Sequence, residues 1–319
     1  MAARVLTIGK STQDVFLSGK VFEPQREKGI FYEHLQLGSK LMLDNVVFST
    51  GGNATNAATT FARQGIEAAY MWALGHDIAS QAIMQVLDAE DIDTSHVVID
   101  EAYRASYSSV LLAPNGERTI LNYHGSKLPV SGFPLDLSAI AKADWLYVSS
   151  LGTMGLLEAV VAQAAAAGVK VAMNPAGSEL AHVDRLKEIL AHVTVLSVNK
   201  EEAQILVQGT TTEELARRLI TYCPVVIVSD GPNGSVATDG KVVVAAGMYE
   251  DVVVVDRLGA GDAFASGFVA KIIQGKTIQE AVTFASANST SVVQKIGAKE
   301  GILHRNAHIH TMPLVVTDF

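Results

Sequence analysis

Cysteine, long apolar runs, surplus basic charge and a dinucleotide-type glycine turn are all scarce in this chain or missing from it. Cys223 is the single cysteine among 319 residues. That excludes an internal disulfide and a thiolate metal cluster, and leaves Cys223 as a small core residue. The most apolar stretch, 159–169, is short, alanine-heavy and interrupted by Gln163, whereas crossing a bilayer takes about 20 largely apolar residues. No membrane partner is expected. The formal net charge of −9 sets up a field that repels a phosphate backbone, so nucleic acid is not an expected partner either. Where the first strand ends, the chain reads Gly9-Lys-Ser-Thr-Gln-Asp14. A Gly-x-Gly-x-x-Gly turn is absent there, which argues against a dinucleotide-dependent oxidoreductase. Residues 1–9 read as a strand and lack the segments of a signal peptide, so a cytoplasmic location is the expectation.

What the chain does contain is a 49% hydrophobic composition, enough for a sizeable core. Short β-branched runs at 5–8, 68–74, 145–149, 169–173, 193–198 and 225–229 alternate with helical patterns at 53–63, 80–88, 155–167, 211–222, 260–274 and 278–295. This order predicts an α/β fold with a mostly parallel central sheet covered on both faces. Two stretches break the rhythm, 13–48 and 102–123, the second with a turn at Pro114-Asn115-Gly116. They are expected to pair as antiparallel strands into one small lid, with 1–319 forming a single domain.

Chemistry concentrates in Asp256-Arg-Leu-Gly-Ala-Gly-Asp262. A valine-rich strand at 252–255 is expected to feed a glycine turn that opens a helix. Glycines permit a tight turn and close approach of a ligand, and the first N–H groups of a helix point at an anion. Gly259, Ala260 and Gly261 are therefore a candidate anion hole, and Asp262 a candidate general base for an attacking hydroxyl. The plain structural reading is a glycine-rich helix start with a charged first turn. A second segment, Gly51-Gly52-Asn53-Ala-Thr-Asn56, can hold hydroxyls through Asn53 and Asn56, or can simply cap a helix.

Together these two segments resemble the paired signatures of the PfkB (ribokinase-like) family of carbohydrate and nucleoside kinases. Gly51-Gly52 and Asn56 match its Gly-Gly-x-x-x-Asn segment, and Asp256 to Asp262 match Asp-Thr-x-Gly-Ala-Gly-Asp except at Arg257. The resemblance implies a ribokinase-like three-layer fold with a β-strand lid. It also implies a kinase moving the γ-phosphoryl group of ATP to a hydroxyl of a sugar, or of a nucleoside as the alternative. Asp14 is then a substrate residue. Asn199 and Glu202, matching Asn-x-x-Glu, organise Mg²⁺ through water, although a helix cap is the plain reading of that pair. Ser229, Gly231 and Gly234 resemble the nucleotide loop, and Ser286 and Asn288 are candidates at the adenine end. Asp256 and Gly297 are the candidate monovalent-cation (K⁺) pair, but Gly301 stands where many members supply a hydroxyl, which counts against potassium activation.

For the acceptor, Asp14, Asn53 and Asn56 favour a free sugar, whereas Phe16, Tyr103, Tyr107 and Tyr123 would suit stacking on a base. Lys10, Arg104 and Lys127 are the cations available for a phosphorylated sugar. A non-catalytic binding module is the remaining rival, and retention of Asp262 argues against it. His304, His308 and His310 lack carboxylate or cysteine partners at ligand spacing and read as a solvated tail. The lid edge is expected to pair with a second copy, giving a homodimer.

Overall fold

A computed structural model describes residues 3–115, 117–128, 134–250 and 252–319. The turn expected around Gly116 falls partly outside these residues. The central sheet has nine strands. In chain order they are β1 (Arg4–Ile8), β4 (Glu67–Met71), β7 (Trp145–Ser149), β8 (Lys170–Asn174), β9 (Val195–Asn199), β10 (Val225–Ser229), β11 (Ser235–Thr238), β12 (Val242–Ala246) and β13 (Leu314–Asp318). Their spatial order is β13-β12-β11-β10-β9-β8-β7-β1-β4, parallel from β4 to β10 and antiparallel beyond. The parallel strands carry no polar face. Val226, Ile227 and Val228 of β10 are all fully buried, as required of strands covered by helices on both sides.

The other sheet combines β2 (Thr12–Ser18), β3 (Asn45–Gly51), β5 (Ser106–Leu112) and β6 (Arg118–Tyr123) in the order β6-β5-β2-β3. Here β5 runs parallel to β2, with Thr12 opposite Ser106 and Ser18 opposite Leu112, not antiparallel as the sequence suggested. The antiparallel pairs are β2 with β3 and β5 with β6.

Three further departures have plain causes. The run 68–74 divides: β4 ends at Met71, and Ala73–Leu74 pairs instead with Val98–Ile99. Residues 252–255 form no strand, because the free edge of β12 is taken by β13 from the C-terminal tail. Val255 is bonded to the carbonyl of Val293 instead, and Val253 is 76% exposed. His304, His308 and His310 are exposed, as expected, and it is the residues beyond them, Leu314–Asp318, that supply the edge strand.

Helices α1 (Asn53–Arg63), α2 (Ile78–Ala89), α3 (Met154–Ala167), α4 (Lys200–Leu206), α5 (Thr212–Leu219), α6 (Ala260–Ile273) and α7 (Ile278–Val293) cover the central sheet. Helices α1 and α6 pack against each other, and the buried Ser266 hydroxyl of α6 donates to Thr60 Oγ1 of α1 at 2.8 Å. No described helix is long and apolar enough to cross a membrane.

Two of the aromatics assigned to base stacking are core residues. Phe16 is buried, and the Tyr103 hydroxyl lies 2.8 Å from the indole N–H of buried Trp72 and accepts from it. Tyr103→Phe leaves that N–H unpaired, which should destabilise the protein by about 1–3 kcal/mol in denaturant unfolding. An unchanged midpoint would show that Trp72 does not depend on this bond.

Candidate active site

Two helices start on uncapped glycines, whereas α2, α3, α4, α5 and α7 begin on Asp77, Thr153, Asn199, Thr211 and Thr277, whose side chains accept the expected N–H bond. Before α1 stands Gly52, at φ 98; before α6 stands Gly259, at φ 77. Neither offers a side-chain acceptor, so the first N–H groups of both helices remain available to a ligand, apart from a long 3.4 Å contact from the Ala260 N–H to the carbonyl of Arg257. A Cβ on Gly259 would lie 2.4 Å from that of Ala298, so only glycine lets the turn close. Gly261 has an ordinary φ and open space where its Cβ would be. The left-handed conformation thus belongs to Gly259, while Gly261 keeps room at the cleft.

Asp262 lies in the first turn of α6, where its Oδ2 accepts from Asn56 Nδ2 of α1 at 2.8 Å. Burial pushes this carboxyl up to about 6, opposed by the Asn56 bond and by the ammonium of Lys299. Lys299 is buried and donates to the carbonyl and hydroxyl oxygens of Thr50 at 2.8 and 3.1 Å. Burial depresses its basicity, while the charges of Asp14 and Asp262 oppose that shift. Asp14, on β2, is also held above the usual carboxylate range by burial. Its Oδ2 lies where a Cβ on Gly51 would come within 2.3 Å. Asp14 Oδ2, Asn56 Oδ1 and Ser11 Oγ are buried without partners among the described residues. Such atoms call for hydrogen bonds, and the hydroxyls of a polyol can supply them. Asn53 is half-buried at the start of α1.

On the other side of Gly261 lies a cavity of about 420 Å³. Ser229, Gly231, Gly234 and Ser286 line it, together with Arg257, Ala260, Phe264, Met248 and Thr290. Gly234, at φ 93, leaves no room for a side chain against the carbonyl of Ala246. Asn288 does not belong to this cavity. It is fully buried, donating to the carbonyl of Ala263 and accepting from the N–H of Leu303, both at 2.8 Å, so its amide holds the core together and cannot reach a ligand.

Asn199 and Glu202 form a reciprocal capping box: Asn199 Oδ1 accepts from the Glu202 N–H at 2.8 Å, and Glu202 Oε2 from the Asn199 N–H at 2.9 Å. The other Glu202 oxygen is not used in the box. Burial, and the charges of Glu201 and Asp262, raise this carboxyl, so a divalent cation beside it suits the local charge. The monovalent-cation pair fits less well. Both oxygens of Asp256 already accept backbone bonds, from Leu258 at 3.0 Å and Gly297 at 3.2 Å. A Cβ at Gly301 would fall 2.3 Å from the carbonyl of Ser291, so no hydroxyl-bearing residue fits there. Among the described residues no cluster of three His, Cys, Asp or Glu side chains is arranged to hold a metal.

Nothing in the sequence marks Lys299, because a lone lysine after Gly297-Ala298 belongs to no recognisable pattern. The only available signal was the need of two buried carboxylates for a counter-charge.

The chain matches the model of the pfkB family carbohydrate kinases over residues 30–305. It is 26% identical to a ribokinase of Haemophilus influenzae over 83% of this chain and 88% of that protein. To an aminoimidazole riboside kinase of Salmonella typhimurium it is 28% identical, over 78% and 83%. Its fold is similar to that of Arabidopsis thaliana ribokinase complexed with ribose and ATP (TM-score 0.77, 21% identity, 96% and 97% of the two chains). It is also similar to that of Burkholderia thailandensis nucleoside kinase in complex with inosine (TM-score 0.72, 18% identity, 95% of each).

Lys299→Met keeps the length of the side chain and removes its charge. Since a nearby cation favours the ionised carboxylate, Asp262 should then titrate above its value of about 6. Carbon-13 NMR of the aspartate carboxyls reads this directly. A midpoint that stays put or falls would show that the ammonium does not act on Asp262.

Proposed function

The chain belongs to the pfkB family of carbohydrate kinases, phosphotransferases with an alcohol group as acceptor, and from this premise we propose that it phosphorylates a hydroxyl of a free sugar with Asp262 as general base. The observation that carries this reading is the contact between Asp262 and Asn56 at 2.8 Å, which brings the acceptor-side segment and the anion-binding helix start to one point. An acceptor hydroxyl held by Asp14 and Asn56 gives its proton to Asp262. Its oxygen attacks the γ-phosphorus of ATP as the bond to the β-bridging oxygen breaks, and ADP leaves. The N–H groups of Gly259 to Gly261 hold the charge that spreads over the moving phosphoryl oxygens.

In this reading the 420 Å³ cavity takes the nucleotide. Asn199 and Glu202 would hold Mg²⁺ through water, and the ion when bound supplies charge compensation for the triphosphate. Potassium has no part in the scheme, given the backbone bonds to Asp256 and the closed space at Gly301.

A sugar is favoured because the unpartnered atoms of Ser11, Asp14 and Asn56 are matched by hydroxyls. A nucleoside is the second reading. It rests on Tyr107 and Tyr123, which lie opposite each other on β5 and β6 and are both exposed. A phosphorylated sugar is supported less, since Arg104 donates to the carbonyls of Glu101 and Tyr103 at 2.8 and 2.9 Å.

The four-stranded sheet, which reaches slightly beyond the expected 13–48 to Thr12 and Gly51 and lies within 102–123, acts as the lid of this single-domain enzyme. Its exposed Phe48, Ile120 and Leu121, with Phe31 nearby in the chain, support pairing with a second copy in a cytoplasmic homodimer.

ATP turnover against a panel of sugars and nucleosides tests the reading, and sugars should be preferred. A base must be ionised to act, so kcat should fall as pH drops through about 6. Asp262→Asn should lower kcat by about 10²- to 10⁴-fold with little change in ATP affinity; near wild-type turnover by this variant would remove Asp262 from its role. Light scattering should give the mass of a dimer, and a monomer at micromolar concentration would dispose of the lid interface.

A further inference from the structure

The cavity beside Gly261 is lined by small, hydroxyl-bearing and apolar residues, with one ionisable side chain among the described residues, Arg257. A nucleotide is a polyanion, and the chain as a whole carries a formal charge of −9, so its approach needs a local source of positive potential. Lys200, close to the Ser229–Gly234 loop, is already paired with Asp230 at 2.9 Å. Arg257 is different: it is exposed, and its guanidinium makes no hydrogen bond or ion pair among the described residues. It stands two positions before Gly259, at the mouth of the same helix whose first N–H groups are uncapped.

We propose that Arg257 binds the phosphates of the nucleotide, its planar fork joining the backbone N–H groups of the α6 start in one anion site. This deepens the kinase reading and rests on it. The guanidinium presents parallel N–H donors to phosphoryl oxygens, an arrangement that an ammonium or a hydroxyl cannot reproduce. At the position where the family usually has threonine, this chain therefore adds a phosphate contact of its own. Because the side chain is not used to hold the fold together, replacing it should leave the protein folded.

Calorimetric titration of wild type, Arg257→Thr and Arg257→Lys with ATP, ADP and adenosine tests this. Arg257→Thr should weaken ATP and ADP by about tenfold to hundredfold, the range for a lost hydrogen bond to a charged group. Adenosine, which has no phosphate, should bind all three proteins alike. Arg257→Lys should fall between, keeping the charge and losing the fork. Equal ATP affinity in wild type and Arg257→Thr overturns the proposal, as does a parallel loss of adenosine. A wild type that binds neither ATP nor adenosine instead overturns the nucleotide reading of the cavity, and this proposal with it.

Discussion

Two carboxylates and one ammonium buried at a single junction are the constraint around which this molecule is organised. Asp14 comes from β2, Asp262 from α6 and Lys299 from the turn after α7, and Lys299 is anchored on Thr50 at the end of β3. Burial opposes all three charges, and one cation cannot neutralise two anions. The fold holds the cluster in place from outside: Arg63 donates to the carbonyls of Lys299 and Ile302 at 2.8 and 2.9 Å and pairs with Glu90. The result is a turn fixed by α1 that presents a positive charge to both carboxylates.

That arrangement has a thermodynamic sign. The folded-state value of about 6 for Asp262 lies above its ordinary 3.8, so the folded protein takes up a proton there more readily than the unfolded chain. Stability is therefore lost as pH rises from 3.8 to about 6, and the ionised carboxylate remains a cost above that range. The same displacement brings ionisation of this carboxyl closer to neutral pH, which suits the general-base role proposed for it. Strain in the fold and aptitude for chemistry come here from one cause.

Glycine determines where a ligand can come close. Gly52 and Gly259 adopt left-handed conformations at the starts of α1 and α6, and a side chain on Gly52 would meet the backbone of Ser11 at 2.5 Å. In α2, α3, α4, α5 and α7 a cap side chain accepts from one of the first N–H groups. Helices α1 and α6 have no such cap, and they meet through Asn56 and Asp262. The segments proposed to hold the acceptor and the nucleotide, more than 200 positions apart in the chain, thus share one hydrogen bond.

What is local was legible in the order of the amino acids. The alternation of apolar strands and helices, the helix starts at Gly52 and Gly259, and the candidacy of Asn56 and Asp262 all follow from the conformational and chemical demands of a few adjacent residues. Tertiary structure decided what depends on partners far along the chain. Residues 252–255 have the composition of a strand and are none, because β13 holds the edge they would need. Phe16, Tyr103 and Asn288 have the chemistry of ligand-binding residues, yet burial assigns them to the core. Lys299 has no motif, and only burial near the charges of Asp14 and Asp262 gives its own charge a role. Pairing, burial and the field at a buried charge are sums over residues distant in sequence, and no local pattern encodes them.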